Sequence, residues 1–119
     1  MSAHDQYRQA RELMDGGQHA EAIPLLQESI AATPHFKSLE LLGECFVKLG
    51  RLNEAVVPLA AATTLNKGVR APALLAEVFL RLGDYHDART LAGVALARSA
   101  TNRMALAVRK ALEEQPYGG

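Results

Sequence analysis

Four histidines, one cysteine and a pair of adjacent glycines are the side chains and turns of this sequence whose types could do chemistry. Two histidines three or four residues apart on one helix face would hold a metal ion or pass a proton. His4, His19, His35 and His86 never stand at that spacing from one another, so surface and turn positions are expected for them. Cys45 would need a base or a positive charge to become a nucleophile. Its companion 33 positions on is the aliphatic Val78, which predicts a small buried hydrophobe instead. Gly16-Gly17 lacks a Gly-Lys-Ser/Thr after it and a strand before it, so it reads as a helix stop and not as a phosphate loop. Glu113-Glu114, and Glu21 with Glu28, are expected as solvated helix charges. This inventory predicts no enzyme, no cofactor, no metal site and no small-molecule substrate.

Composition narrows the remaining classes. The 119 residues are 49% hydrophobic, enough for one compact domain with a core but not for two of ordinary size. Thirteen basic and thirteen acidic side chains cancel, unlike the strong positive balance of a dedicated nucleic-acid binder. Aromatics make up only 5% and tryptophan is absent, which leaves little on which bases could stack. A single cysteine cannot close an internal disulfide and fits a reducing compartment. The polar start Met1-Ser2-Ala3-His4-Asp5 lacks the pattern of a signal peptide. No apolar run approaches the roughly 20 residues that span a bilayer, so a cytoplasmic protein without membrane insertion is expected.

The elements that must position any site are set by a repeat of 33 residues. Gly17, Gly50 and Gly83 share that spacing, as do Ala22, Ala55 and Ala88, each preceded by an acid: Glu21, Glu54 and Asp87. The columns Ala10, Gly43, Ala76 and Leu13, Phe46, Phe79 and Met14, Val47, Leu80 agree at the same offset. Within the second copy, Leu39, Leu42, Phe46 and Leu49 form one helical stripe, and after Gly50 the period restarts with Leu52, Ala55, Val56, Leu59 and Ala62. Each copy is therefore two helices, A and B, joined at its glycine. The acids fall in the first turn of each B helix, where the dipole favours them. The small columns are packing positions at which A and B approach closely.

The expected A helices cover 3 to 15, 36 to 49 and 70 to 82, and the B helices 19 to 32, 52 to 65 and 85 to 98. Pro24 and Pro58 should bend their B helices. A seventh helix over about 101 to 114 places Met104, Val108, Ala111 and Leu112 on one side and charges on the other, as a cap for the last repeat. The tail from Gln115 to Gly119 is expected to fray.

These columns resemble the tetratricopeptide repeat, whose pattern runs W-x2-L-G-x2-Y, then A-x3-F, then P. The second copy supplies Leu42-Gly43, Phe46, Ala55 and Leu59; the third Leu75-Ala76, Phe79, Ala88 and Ala92; the first Ala10, Leu13, Ala22, Leu26 and Pro34. The tryptophan site instead holds Gln6, Leu39 and Pro72, and the period is one residue short. Ankyrin repeats have a similar period, but their T-P-L-H-x-A turn does not occur. The resemblance implies an all-α, right-handed α-solenoid of three antiparallel helix pairs, about 3–34, 36–67 and 69–100, with the seventh helix as a cap, in a single domain over 1–119.

It also implies a non-enzymatic protein-binding module, an adaptor or chaperone whose A helices line a concave groove for a peptide segment or partner helix. The inward positions are Tyr7, Arg11 and Met14 from the first copy, with His4 and Arg8. The second offers Leu41, Glu44, Val47 and Lys48, with Lys37 and Glu40, and the third Arg70, Leu74, Glu77, Leu80 and Arg81. Leu41, Leu74, Val47 and Leu80 would bury apolar ligand side chains while Tyr7, Arg11, Arg70 and Arg81 orient the ligand; the same aliphatics would serve equally as core between adjacent A helices. The clamp with which related repeats grip acidic chaperone tails maps onto Tyr7, Arg11, Leu41, Arg70 and Leu74, of which only Arg70 is of the matching kind. An apolar or mixed peptide is therefore expected. The alternatives are self-association into a homodimer or scaffold, and a chaperone similar to those of type III secretion. Arg89, Arg98, Arg103, Arg109 and Lys110 lie between Ala88 and Leu112 with no acid among them; this patch is expected as a solvated rim, with an acidic partner or RNA as the other reading.

Overall fold

The computed structural model describes residues 1–115. Among these residues every regular element is helical: α1 (Ala3–Asp15), α2 (His19–Ala32), α3 (Phe36–Lys48), α4 (Leu52–Leu65), α5 (Arg70–Leu82), α6 (Tyr85–Arg98) and α7 (Arg103–Glu113). The fold is all-α: three antiparallel helix pairs and a seventh helix. The first six helices match the expected spans to within one residue. The seventh starts later than expected because Asn102 caps it, its Oδ1 accepting the Ala105 N–H at 2.9 Å. α2 and α4 run on through Pro24 and Pro58. Apart from Gln115, the tail expected to fray lies outside the described residues.

The turn between A and B is built the same way three times. Gly17, Gly50 and Gly83 have φ of 78°, 74° and 81°, the left-handed region that a side chain enters only at a cost. Around Gly50, the Arg51 N–H reaches back to the Phe46 carbonyl at 2.8 Å and the Gly50 N–H to that of Val47 at 3.0 Å. Gln18 with Leu13, and Asp84 with Phe79, repeat the longer bond at 2.8 Å. The B helices then start without a side-chain cap, and each has one acid in its first turn: Glu21, Glu54 or Asp87. Arg51 holds Glu54 by two hydrogen bonds of 2.8 and 2.7 Å, which keeps that carboxyl below its ordinary range; both side chains are exposed, so the pair adds little stability.

The chain divides into two compact units, one ending at Asn66 and the other beginning at Lys67. In the first, α1 packs on α2, α2 on α3 and α3 on α4, with Ala10, Ala22, Leu26, Cys45, Ala55 and Leu59 fully removed from solvent. Gly43 is the tightest point of the α3–α4 contact. A Cβ there would stand 2.5 Å from Leu59 Cγ and 2.6 Å from its Cδ2, closer than carbon atoms pack. In the second unit α5, α6 and α7 pack mutually. One cluster joins Ala76, Ala88, Ala92, Val108 and Leu112, with Phe79 and Leu80 against it, and a second joins Ala73, Ala95 and Ala105. The Arg98 guanidinium donates to the Gly68 carbonyl at 2.9 Å, tying the end of α6 to the segment that leads into α5.

Two substitutions test this packing. Gly43→Ala gains about 1 kcal/mol of helix propensity but drives a methyl into a fully buried leucine, so a net loss of about 1 to 3 kcal/mol is expected in urea titrations. Combining it with Leu59→Ala should cost clearly less than the sum of the two changes. Gly50→Ala should cost about 1 to 2 kcal/mol through its positive φ alone, with no change in helix content by circular dichroism.

Candidate functional site

The A helices carry their charge in an unexpected place. His4, Lys37, Arg70 and Arg103 share the 33-residue spacing, and each is the first or second residue of α1, α3, α5 or α7. All four are exposed. A helix start favours acids and penalises cations; the B helices follow that rule, α1 has Asp5 in its first turn beside His4, and α3, α5 and α7 depart from it. The first turns of α3, α5 and α7 contain no acid. The four residues form one sequence column of basic side chains at helix starts.

In the first unit two members of this column share a groove. It is lined by Ala3, His4, Tyr7 and Arg11 of α1, by Ser29 of α2 with Thr33 after it, and by His35, Lys37 and Ser38 at the start of α3. Hydrogen bonds and ring contacts hold its walls in place. The Ser29 hydroxyl donates to the Ala3 carbonyl at 2.8 Å, and the Gln6 amide donates to Glu28 at 2.9 Å, so α2 fixes the first turn of α1. His35 caps α3, its Nδ1 accepting the Lys37 N–H at 3.2 Å, and stacks on Phe36 with ring centroids 4.8 Å apart. The rings of His4 and Tyr7 lie nearly parallel at 6.5 Å. The result is an open groove with two imidazoles, a guanidinium, an ammonium and a phenol on its walls. Such a lining can accept carboxylates and hydrogen-bond an extended backbone.

The residues expected to line the A-helix faces divide by unit. Tyr7 and Arg11 line the first-unit groove, with Met14 half-buried one turn further along α1. On α3, Leu41, Glu44 and Val47 are half-buried and Lys48 is exposed, and their three- and four-residue steps put them on one helix face. In the second unit Arg70 and Arg81 are exposed and Glu77 is half-buried. Leu74, however, is only 8% exposed, and half-buried Leu80 packs on the Ala76–Ala88–Leu112 cluster. The apolar part of the stripe is therefore partly accessible on α3, whereas on α5 it is largely committed to the core. Ser29, Thr33, His35 and Ser38 are groove residues that the repeat columns do not reveal, because the turn after α2 does not recur: Gly68 holds the column of His35.

Among the described residues no group of three or more His, Cys, Asp or Glu is placed to hold a metal ion, and no helix is long and apolar enough to cross a membrane. Cys45 is fully buried, and burial, with Glu44 adding a smaller repulsion, pushes its thiol up to about 11.

Comparison with known proteins places this architecture. The tetratricopeptide repeat family profile matches residues 7–73, more than half of the chain, and the chain belongs to that family of protein-interaction modules. No curated protein sequence matches it. Among solved structures, the second such domain of human RPAP3, in complex with the HSP70 peptide SGPTIEEVD, is similar with a TM-score of 0.89 at 17% identity, over 95% of this chain and 96% of that one. The Yersinia enterocolitica type III secretion chaperone SycD, in complex with a peptide of the translocator YopD, has a TM-score of 0.80 at 18% identity, over 91% and 92% of the two chains. PcrH, in complex with the chaperone-binding region of PopD, has a TM-score of 0.81 at 22% identity, over 92% and 87%. At these identities the likeness is one of fold.

Two measurements probe these assignments. The folded chain keeps the Cys45 proton up to about pH 11, whereas the unfolded thiol ionises near its ordinary value of 9.0. Stability from this group is full below pH 9 and falls as pH rises through 11, by on the order of 2 kcal/mol; Cys45→Val should remove that slope in denaturant titrations. Leu74→Asp should lower stability by more than about 3 kcal/mol, because it buries an unpaired charge, while Leu41→Asp should leave the thermal midpoint within a few degrees of wild type.

Proposed function

We propose that this chain is a non-enzymatic adaptor or chaperone that holds an extended segment of another protein, and that the first-unit groove supplies the grip. The single observation behind this reading is the groove that brings His4, Tyr7, Arg11, His35 and Lys37 together. A carboxylate of the ligand would meet Arg11 and Lys37, and its backbone would find hydrogen bonds from the Tyr7 hydroxyl and the imidazoles. Met14, Leu41 and Val47 would receive aliphatic side chains, with Glu44 and Lys48 at the edge of the stripe. On α5, Arg70, Glu77 and Arg81 would act as polar contacts for the same class of ligand, and Leu74 and Leu80 would stiffen the helix that presents them. The ligand is accordingly a mixed peptide, acidic and aliphatic. Similar structures that hold such peptides, one of them the SGPTIEEVD segment, support this reading. A helper of secreted or aggregation-prone proteins is its biological form, in line with the secretion chaperones of the same fold.

The test uses fluorescein-labelled SGPTIEEVD as an acidic, aliphatic probe, followed by anisotropy. Binding is expected to weaken steeply with salt and to fall at least tenfold in Arg11→Glu combined with Lys37→Glu. It should fall by a similar factor in Leu41→Asp, with circular dichroism and melting near wild type in both cases. Affinity unchanged in both variants would refute the groove as the binding site.

A further inference from the structure

The seventh helix carries the repeat register but changes it at one decisive column. Arg109 stands 33 positions after Ala76 and 66 after Gly43. In α3 this column lets α4 approach until no room remains for a Cβ, and in α5 it carries the fully buried Ala76, clustered with Ala88 and Ala92 of α6. In α7 it is an exposed arginine. The neighbouring columns separate the two sides of the helix. Ala105, Val108 and Leu112 are buried against α5 and α6, whereas Glu113, in the column of Val47 and Leu80, is exposed. α7 is thus docked as an A helix and barred from receiving a B helix at the usual distance.

A cleft of about 620 Å³ remains between α6 and α7, lined by Arg89, Ala92, Gly93, Leu96, Arg109, Leu112, Glu113 and Gln115. Its volume is that of a ligand site. The floor is apolar, formed by Ala92, Leu96 and Leu112 around Gly93. A Cβ added at Gly93 would meet nothing within 4 Å, and the same column holds Gln27 and Ala60 in the earlier repeats, so the missing side chain here leaves open space. Two arginines and one glutamate form the rim. The surrounding segment from Ala88 to Leu112 carries five basic residues and no acid.

We infer that the α6–α7 cleft is a second docking site, separate from the first-unit groove, that takes an extended acidic segment of a partner protein with an aliphatic side chain seated over Gly93. Charge complementarity names the occupant: carboxylates on either side of that aliphatic group meet Arg89 and Arg109, and Glu113 is placed to accept a backbone N–H. An extended strand needs less width than a helix, and Arg109 stands at the position where the earlier A helices seat a helix on Gly43 and Ala76. RNA is disfavoured because no aromatic ring lines the cleft. This inference stands whether or not the first-unit groove binds its own ligand.

The probe is an amidated, fluorescein-labelled peptide of five Glu-Leu pairs, titrated by anisotropy against the full chain. It is expected to bind, and to lose at least tenfold in affinity in Gly93→Leu, which fills the cleft, and in Arg89→Glu combined with Arg109→Glu. Arg11→Glu with Lys37→Glu should leave its affinity within twofold. Melting curves of Gly93→Leu should match wild type, and Gly93→Ala is the milder filling variant, with an intermediate loss. The proposal is overturned by any of several results: no binding; equal binding of the corresponding Lys-Leu peptide; loss of binding in the Arg11 and Lys37 variant instead; or stronger competition by a uridine oligonucleotide than by unlabelled peptide. Probe-free self-association that Gly93→Leu abolishes would assign the cleft to a second copy. At least tenfold tighter binding by a chain ending at Gln115 would assign it to the chain's own last residues.

Discussion

The close approach of paired helices at one small residue governs the rest of this structure. Gly43 against Leu59 is the limiting case, since the Leu59 side chain leaves no space at the Gly43 backbone for a single additional methyl group. Helices that come this near set small residues opposite large ones, and the fully buried Ala10, Ala22, Ala55, Ala76 and Ala88 lie beside fully buried leucines such as Leu26 and Leu59. A tight pair also needs an abrupt turn, which the left-handed glycines supply with the same reverse hydrogen bonds each time.

Helix ends are then left to settle how the molecule presents charge. Each B helix begins with an acid in its first turn, in agreement with its dipole, and Arg51 with Glu54 shows such an acid held locally. α3, α5 and α7 begin with a base and have no acid in the first turn, against the dipole, whereas α1 sets Asp5 beside His4. The basic residues His4, Lys37, Arg70 and Arg103 recur as one column at the 33-residue spacing of the repeat. The family explains how such a column becomes useful, because repeated helices array repeated side chains.

Within that shared architecture the copies have diverged in use. Leu41 and Leu74 occupy one column, yet the first remains partly accessible and the second is nearly covered. The small-residue column is kept in α1, α3 and α5 and abandoned in α7, where Arg109 turns a packing position into a charged one. Repeats of equal length therefore do not supply equal surfaces, and a binding reading has to be made copy by copy.

The spacing of glycines, alanines and acids was sufficient to place six helices almost to the residue, because each helix end depends on its own local chemistry: a positive φ, a missing Cβ, a charge near a dipole. The small columns were legible for the same reason, since steric exclusion at Gly43 depends on residue type and register. The first-unit groove was only half visible. Tyr7 and Arg11 stand on a periodic face, but Thr33 and His35 enter from a turn that does not recur and Ser29 and Ser38 from the helix ends beside it, and only the folding of α2 back on α1 brings them there. Burial divided Leu41 from Leu74, although a column cannot distinguish them, because exposure depends on what packs alongside and not on the residue itself. The emptiness over Gly93 is likewise a property of tertiary packing: glycine in a helix reads as a weak point in one dimension and as an open floor in three.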